Sequence, residues 1–410
     1  MLLDLGPVSY LDCAAFCLLL APQLVWQAGL LETAWCVLRV LPFVLTQLPV
    51  AFIRERYLTA RAARAAFVRR ASPFEDLVVR CVRYGFVNIP PRVGRVFFAR
   101  EVAVPFLWFR LLRHGYLRGS PVAWREHREG GLHGIWLIKH PSWEPDFVLY
   151  YVHGGGFSLG SPYFYLEYLL TWLSVLSGSG YSNPAIFALD YTLVPDAAFP
   201  TQVDETVTGY EHVLAVARDP SIVCVSGDSA GATLILCLLL RLGEESPGNG
   251  RGWRKHRLPI PELAVLISPW ATLVSAQHSN TESDYLDARR LGHYGRRFAG
   301  SRTSVTDPLA SPGSCRDGAW WKRSSPSRGV VVTYGTAEVL APDIEELIGT
   351  LRGAGIEVGS HAELGGIHAW PVASLFLSGT RDGRLDGLRT VTREIRQRVP
   401  GRRVGDGKDG

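Results

Sequence analysis

IVCVSGDSAGATLILCLLL, residues 222–240, joins a β-branched run to a long apolar run through two glycines that flank a serine. The first part reads as a buried strand and the second as a helix buried on all sides. Between them Gly227-Asp228-Ser229-Ala230-Gly231 fits G-x-S-x-G, the pattern of a sharp strand-to-helix turn. So tight a reversal leaves no room for side chains at the flanking positions, hence Gly227 and Gly231. Ser229 is left projecting at the helix start, with the Ala230 N–H beside it. A serine at a helix start also serves as an N-cap, which is the bland alternative.

Working outward, short β-type runs alternate with helical patterns from about residue 120. The strands expected are 134–140, 147–152, 185–191, 222–226, 263–268, 329–334 and 356–364, and helices are expected at 163–176 and 232–243. Near-continuous apolar strands separated by helices imply a mostly parallel sheet covered on both faces. Two stretches, 243–261 and about 275–328, read as insertions, and 398–410 reads as a disordered tail.

YVHGGGFSLG (151–160) follows the strand FVLYYV, residues 147–152. Three consecutive glycines lose much conformational entropy on folding, so exposed backbone must be of use there. An acyl-transfer site needs several donors for a tetrahedral oxyanion. Ala230 offers one, and Gly155 and Gly156 offer the others. Gly154 and His153 are assigned to supporting this loop. The stretch does not fit G-x-G-x-x-G, so a dinucleotide loop is disfavoured.

HGGG followed by GDSAG resembles the hormone-sensitive-lipase branch of the α/β-hydrolases. DYTLVPDAAFPTQVDE (190–205) is similar to a further element of that branch, with Asp196 in place of the usual Glu. SPW (268–270), DPLASP (307–312) and YGTAEVL (334–340) resemble most closely fungal members, among them steryl acetyl hydrolase-like and arylacetamide deacetylase-like membrane enzymes. The resemblance covers roughly 120–395 and implies an α/β-hydrolase fold and a serine esterase or lipase. A catalytic domain at 120–397 would follow an apolar region with a basic run (1–70) and a helical linker or cap (71–119).

The triad then follows the chain order Ser, acid, His. Glu338 lies in the loop after the strand 329–334, where the resemblance implies Asp-Pro-Leu and this chain has Glu338-Val339-Leu340. Asp343 competes, although an Asp after Pro342 at a helix head also suits the helix dipole. For the base, His361 falls inside a strand pattern, whereas His368 follows Gly365-Gly366 in a post-strand loop. His368 would take the Ser229 proton while Glu338 orients the imidazole.

The chain has 410 residues, 47% hydrophobic and only 20% charged, with a formal net charge of +5. Residues 13–31 carry no charge and are long enough to cross a bilayer, and Arg39 is the only charged residue in 33–53. Asp4 and Asp12 stand where a cleavable signal peptide would have positive charge. One span, a helical hairpin and an interfacial anchor all fit, and so does a buried cap over a cleft. The run 54–70 holds six Arg against one Glu, which suits anionic lipid head groups better than nucleic acid. Seven cysteines without a CxxC pair give neither a zinc nor a redox motif. No metal or cofactor is expected. A lipophilic ester and a membrane are the expected partners. The resemblance implies acetylated sterols or similar small-acyl esters, and the endoplasmic reticulum, on either side of the membrane. A binding protein on a degraded hydrolase scaffold and an acyltransferase using the same triad are the rival functions.

Overall fold

The structure is a computed structural model that describes residues 3–117, 120, 122–245 and 258–402. Eight strands form one sheet in the order β1-β2-β4-β3-β5-β6-β7-β8. They are β1 (Ala123–Glu129), β2 (Leu132–Ile138), β3 (Phe147–Val152), β4 (Pro184–Leu189), β5 (Val223–Asp228), β6 (Leu263–Ile267), β7 (Val330–Gly335) and β8 (Val358–Glu363). β2 runs antiparallel to both neighbours, and every pair from β4 to β8 is parallel.

The strands β3 to β7 are buried on both faces because helices cover both. Along β3 the alternation separates two cores: Val148, Tyr150 and Val152 face one, and Phe147, Leu149 and Tyr151 face the other. The first core is closed by the helices Thr201–Ala217, Ala230–Leu242 and Ala341–Gly353. The second is closed by Arg100–Arg113, Leu166–Gly178 and Arg381–Arg398. In Ala230–Leu242 every residue but Arg241 is buried, which accounts for its apolarity on all sides.

Every expected strand and both expected helices are present, displaced by a few residues at their ends. β1, AWREHRE, was not expected. It is a charged edge strand paired among the described strands with β2 alone, joined through Gly130-Gly131 at φ +59° and +81°. Charge keeps such an edge from pairing with other chains, and it also erases the apolar alternation. The glycine pair was its one signal.

Residues 246–257 of the first expected insertion lie outside the described residues, as do 403–410 of the expected tail. The rest of that tail is held in place. Arg398 ends the last helix, Val399 is buried, and the Arg402 N–H donates to the Asp146 carbonyl at 2.9 Å. The described residues contain no disulfide, and all seven cysteines are free.

Two apolar helices, Tyr10–Ala28 and Leu30–Leu58, open the described chain, and each is long enough to cross a membrane. Pro22 and Pro42 stand at the last turn of an α-helical stretch, and π-wound turns at Leu24–Ala28 and Phe43–Gln47 follow. The helices Pro73–Asn88 and Pro91–Phe98 come next and lie against the loops that follow the parallel strands.

Candidate active site

Ser229 sits between β5 and the helix Ala230–Leu242 with φ +52° and ψ −119°, a strained conformation for a residue with a Cβ. Its N–H donates to the Ile267 carbonyl at 2.9 Å, and its carbonyl accepts from Thr233 and Trp270. No side-chain cap bond is made at this helix start, so the hydroxyl is not spent as an N-cap. A Cβ on Gly231 would lie 2.0 Å from the Val152 carbonyl oxygen, and one on Gly227 would strike Gly231 and Val152. β5 and its neighbour β3 pack too closely at the turn for anything larger.

The HGGG loop leaves β3 directly beside this turn. Asp228 ties the two together. Its Oδ1 accepts the Gly154 N–H at 2.9 Å and the Tyr151 hydroxyl at 2.6 Å, and its Oδ2 accepts the Tyr165 hydroxyl at 2.8 Å. A Cβ on Gly154 would fall 2.3 Å from Asp228 Oδ2, so only glycine fits that grip. Gly155 has φ +113°, and its carbonyl accepts from Ser158 and Leu159, which curls the loop. Among the described residues, the N–H groups of Gly155 and Gly156 donate to no protein acceptor.

His153 is fully buried. It stacks on Tyr191 with ring centroids 4.5 Å apart, and its Nδ1–H donates to the Gly154 carbonyl at 2.7 Å. Burial pushes its pKa down to about 4, so the ring is neutral at physiological pH and supports the loop. The stretch 190–205 braces the same loop from outside. The Tyr191 hydroxyl donates to the His153 carbonyl, and the Val194 N–H donates to that of Phe157.

Glu338 and His368 come together in the loops after β7 and β8. His368 Nδ1–H donates to Glu338 Oε2 at 2.7 Å, and both side chains are buried. The other carboxylate oxygen accepts the Gly335 N–H at 3.0 Å, and the Ser268 hydroxyl also bonds this carboxylate. Ser268 links the pair to the serine. It directly follows Ile267, which holds the Ser229 N–H, and its Oγ accepts the Ala369 N–H at 2.9 Å. Burial favours the uncharged form of each group, raising the Glu338 carboxyl and lowering His368. The carboxylates of Asp284 and Asp228 act on His368 in the opposite sense and favour an imidazolium when one forms.

Asp343 is elsewhere. Its Oδ2 lies 2.8 Å from His278 Nε2, at the head of the helix Ala341–Gly353. His361 is on β8, half-exposed and near Glu363.

One residue escaped the sequence reading. Asp284, within the expected insertion 275–328, is wholly buried and bonds both loops that carry the acid and the base. Its Oδ1 accepts the His368 N–H at 3.1 Å and the Tyr285 N–H at 2.8 Å, and its Oδ2 accepts the Val339 N–H at 2.9 Å. No motif surrounds Asp284, and with Glu282 and Asp287 beside it in the same loop nothing local singles it out. Tyr285 beside it lies edge-on to the His368 ring at 5.7 Å. Among the described residues no group of histidines, cysteines and carboxylates has metal-binding geometry.

Residues 149–372 match the family described as the alpha/beta hydrolase fold. An acetyl-hydrolase of Streptomyces hygroscopicus is 34% identical over 179 residues, which is 42% of this chain and 53% of that protein. A Schizosaccharomyces pombe protein provisionally named as a steryl acetyl hydrolase is 27% identical over 220 residues, 51% of this chain and 55% of that one. The chain thus spans about half the length of these relatives. Among solved structures, a hormone-sensitive lipase from a metagenome library superposes with a TM-score of 0.62 at 21% identity, covering 79% of this chain and 98% of that one. That likeness shows the fold.

Proposed function

This chain belongs to the α/β-hydrolase fold family, on its hormone-sensitive-lipase branch, and we propose that it is a serine carboxylic-ester hydrolase for lipophilic small-acyl esters. The observation that carries the reading is the buried Glu338–His368 pair at 2.7 Å, joined through Ser268 to the strained turn that presents Ser229. Ser229 Oγ attacks the ester carbonyl while His368 Nε2 takes its proton, and Glu338 holds the other ring nitrogen and stabilises the imidazolium. The oxyanion is received by the N–H groups of Gly155, Gly156 and Ala230, the last at the positive end of the helix dipole. His368 returns the proton to the departing alcohol. It then deprotonates a water that frees the acid from Ser229.

Relatives named for acetyl hydrolysis support a short acyl group. The resemblance to fungal steryl acetyl hydrolases supports a sterol-like alcohol, and the two apolar helices support work at a membrane. Turnover of p-nitrophenyl acetate and of a sterol acetate by wild type and Ser229→Ala tests this. The variant is expected to lose at least about 10⁴-fold in kcat on both. An unchanged rate overturns the mechanism. Turnover of the small ester without any of the sterol acetate overturns the substrate assignment alone.

A further inference from the structure

The two apolar helices lie on one side against the helices of residues 73–113. On the first, Asp12, Phe16, Leu20, Leu24 and Ala28 recur every fourth residue and make up the inner stripe. Asp12 pairs with Arg110 at 3.1 Å and also with Arg113, and Phe16 packs edge-on against Phe106 at 5.1 Å. Leu20 is buried with Val96 and Val102, and Leu24 and Ala28 pack on the same cluster.

The second helix is pinned in the same way. Glu32 pairs with Arg92 at 3.3 Å, the Tyr84 hydroxyl donates to the Arg39 carbonyl, and Phe43 stacks on Tyr84 at 3.9 Å. Glu55 pairs with Arg80 at 2.8 Å and Arg56 with Asp76 at 3.4 Å. From Glu32 to Arg56 the axis runs about 36 Å, more than the hydrocarbon thickness of a bilayer.

Among the described residues the opposite faces have no partner. Leu18, Trp26, Leu31, Leu45 and Leu58 are each two-thirds exposed or more. So much apolar surface exceeds what a soluble monomer leaves bare. Exposed Arg54, Arg61 and Arg69 follow it, and Trp26 and Trp35 stand on it, the residue types that sit at lipid head groups.

What lies beside the second helix does not suit a crossing one. Were Leu30–Leu58 to span, the part of Pro73–Asn88 against Phe43 and Arg39 would enter the hydrocarbon, Tyr84 and its neighbour Arg83 with it. Arg83 bonds the carbonyls of Glu282 and Asp284, so the loop holding the acid and the base would be drawn in as well.

We propose that the two helices form a monotopic docking face: their outer sides sink into one leaflet of an anionic phospholipid membrane and no part of the helix pair crosses it. The proposal rests on the membrane association offered above and not on the hydrolytic chemistry. The helices Pro73–Asn88 and Pro91–Phe98 lie between the docking face and the site, with Phe86 against Tyr294 and Arg95 on the Ser158 carbonyl.

The test adds full-length protein, carrying one protease site inserted at Gly29 and another after residue 402, to preformed phosphatidylcholine vesicles containing phosphatidylserine. The expected result is flotation with the vesicles, with both sites cut by protease added outside and no detergent. A Gly29 site protected while the other is cut overturns the monotopic arrangement and leaves membrane association standing. Failure to float, with a dimer in solution, overturns both and assigns the apolar face to a second copy. Ser229→Ala is expected to float as wild type does, which separates this outcome from any failure of the proposed chemistry.

Discussion

Asp284 holds two loops whose relative position decides whether His368 reaches the serine, yet it touches neither reacting atom. In Asp284→Asn an amide N–H₂ would face either the Val339 N–H or the His368 N–H, leaving a buried donor without an acceptor. A fall in kcat of about 10- to 100-fold with little change in KM is expected, as for small misplacements of a reacting group. Loss of its charge also removes one influence that favours the imidazolium, so the acid limb of the pH–rate profile should move to lower pH in the variant. A purely structural lesion would leave that limb where it was. In the wild type the limb itself is expected below the ordinary imidazole range near 6.5. Burial lowers the His368 pKa, and the base is active only when neutral, so activity persists at mildly acidic pH and falls as pH drops through the shifted value. Glu338→Gln is expected to cost about 10³- to 10⁴-fold in kcat, and Asp343→Asn little, because Asp343 is engaged with His278. The reverse order in measured kcat would exchange their roles. Ser229, Glu338 and His368 were legible because each stands in a fixed relation to a strand end. Asp284 was not, because what defines it is two backbone N–H groups drawn from distant loops, those of Val339 and His368.

The HGGG element shows how a loop is fixed by what cannot be added to it. A Cβ on Gly155 would lie 2.2 Å from the Leu159 carbonyl oxygen, and the backbone there has positive φ. Gly155→Ala is expected to displace the donors and lower kcat by about 10²- to 10³-fold, the scale of losing one oxyanion donor. Circular dichroism should stay native-like, because the sheet beneath is untouched. Gly154→Ala should do more harm, since it drives into Asp228, and a lowered Tm should accompany the lost rate. The parallel strands were readable because burial on both faces writes an unbroken apolar run. β1 was unreadable for the opposite reason: its side chains answer to solvent and leave no period to detect.

For the molecule as a whole, the opening segment is not a detachable anchor. Leu3 and Leu5 are buried in the second core, Asp4 pairs with Arg384 at 2.9 Å, and the Val8 N–H donates to the Phe376 carbonyl. Arg110, wholly buried, holds Glu167 at 2.7 Å as well as Asp12 and the carbonyls of Leu5 and Gly6. Deleting residues 1–9 strips Arg384 of its carboxylate and Arg110 of two carbonyls. Loss of a partner to a buried charge costs about 3–5 kcal/mol, so thermal denaturation of the shortened chain should begin several degrees lower. An unchanged Tm would mean that the segment rests on the body without supporting it. The apolar character of residues 13–53 was plain from sequence, but its use was not, because hydropathy records how greasy a helix is and not which side is already occupied. The seat of Asp4 has a further consequence in time. Its partner Arg384 lies 380 residues downstream, which at ribosomal rates of about 5–20 residues per second means a wait of roughly 20–75 seconds. Through that interval Asp4 lacks the partner that seats it, whereas Arg110, which takes the carbonyls of Leu5 and Gly6, is available well before the last helix exists, so the segment docks in two stages.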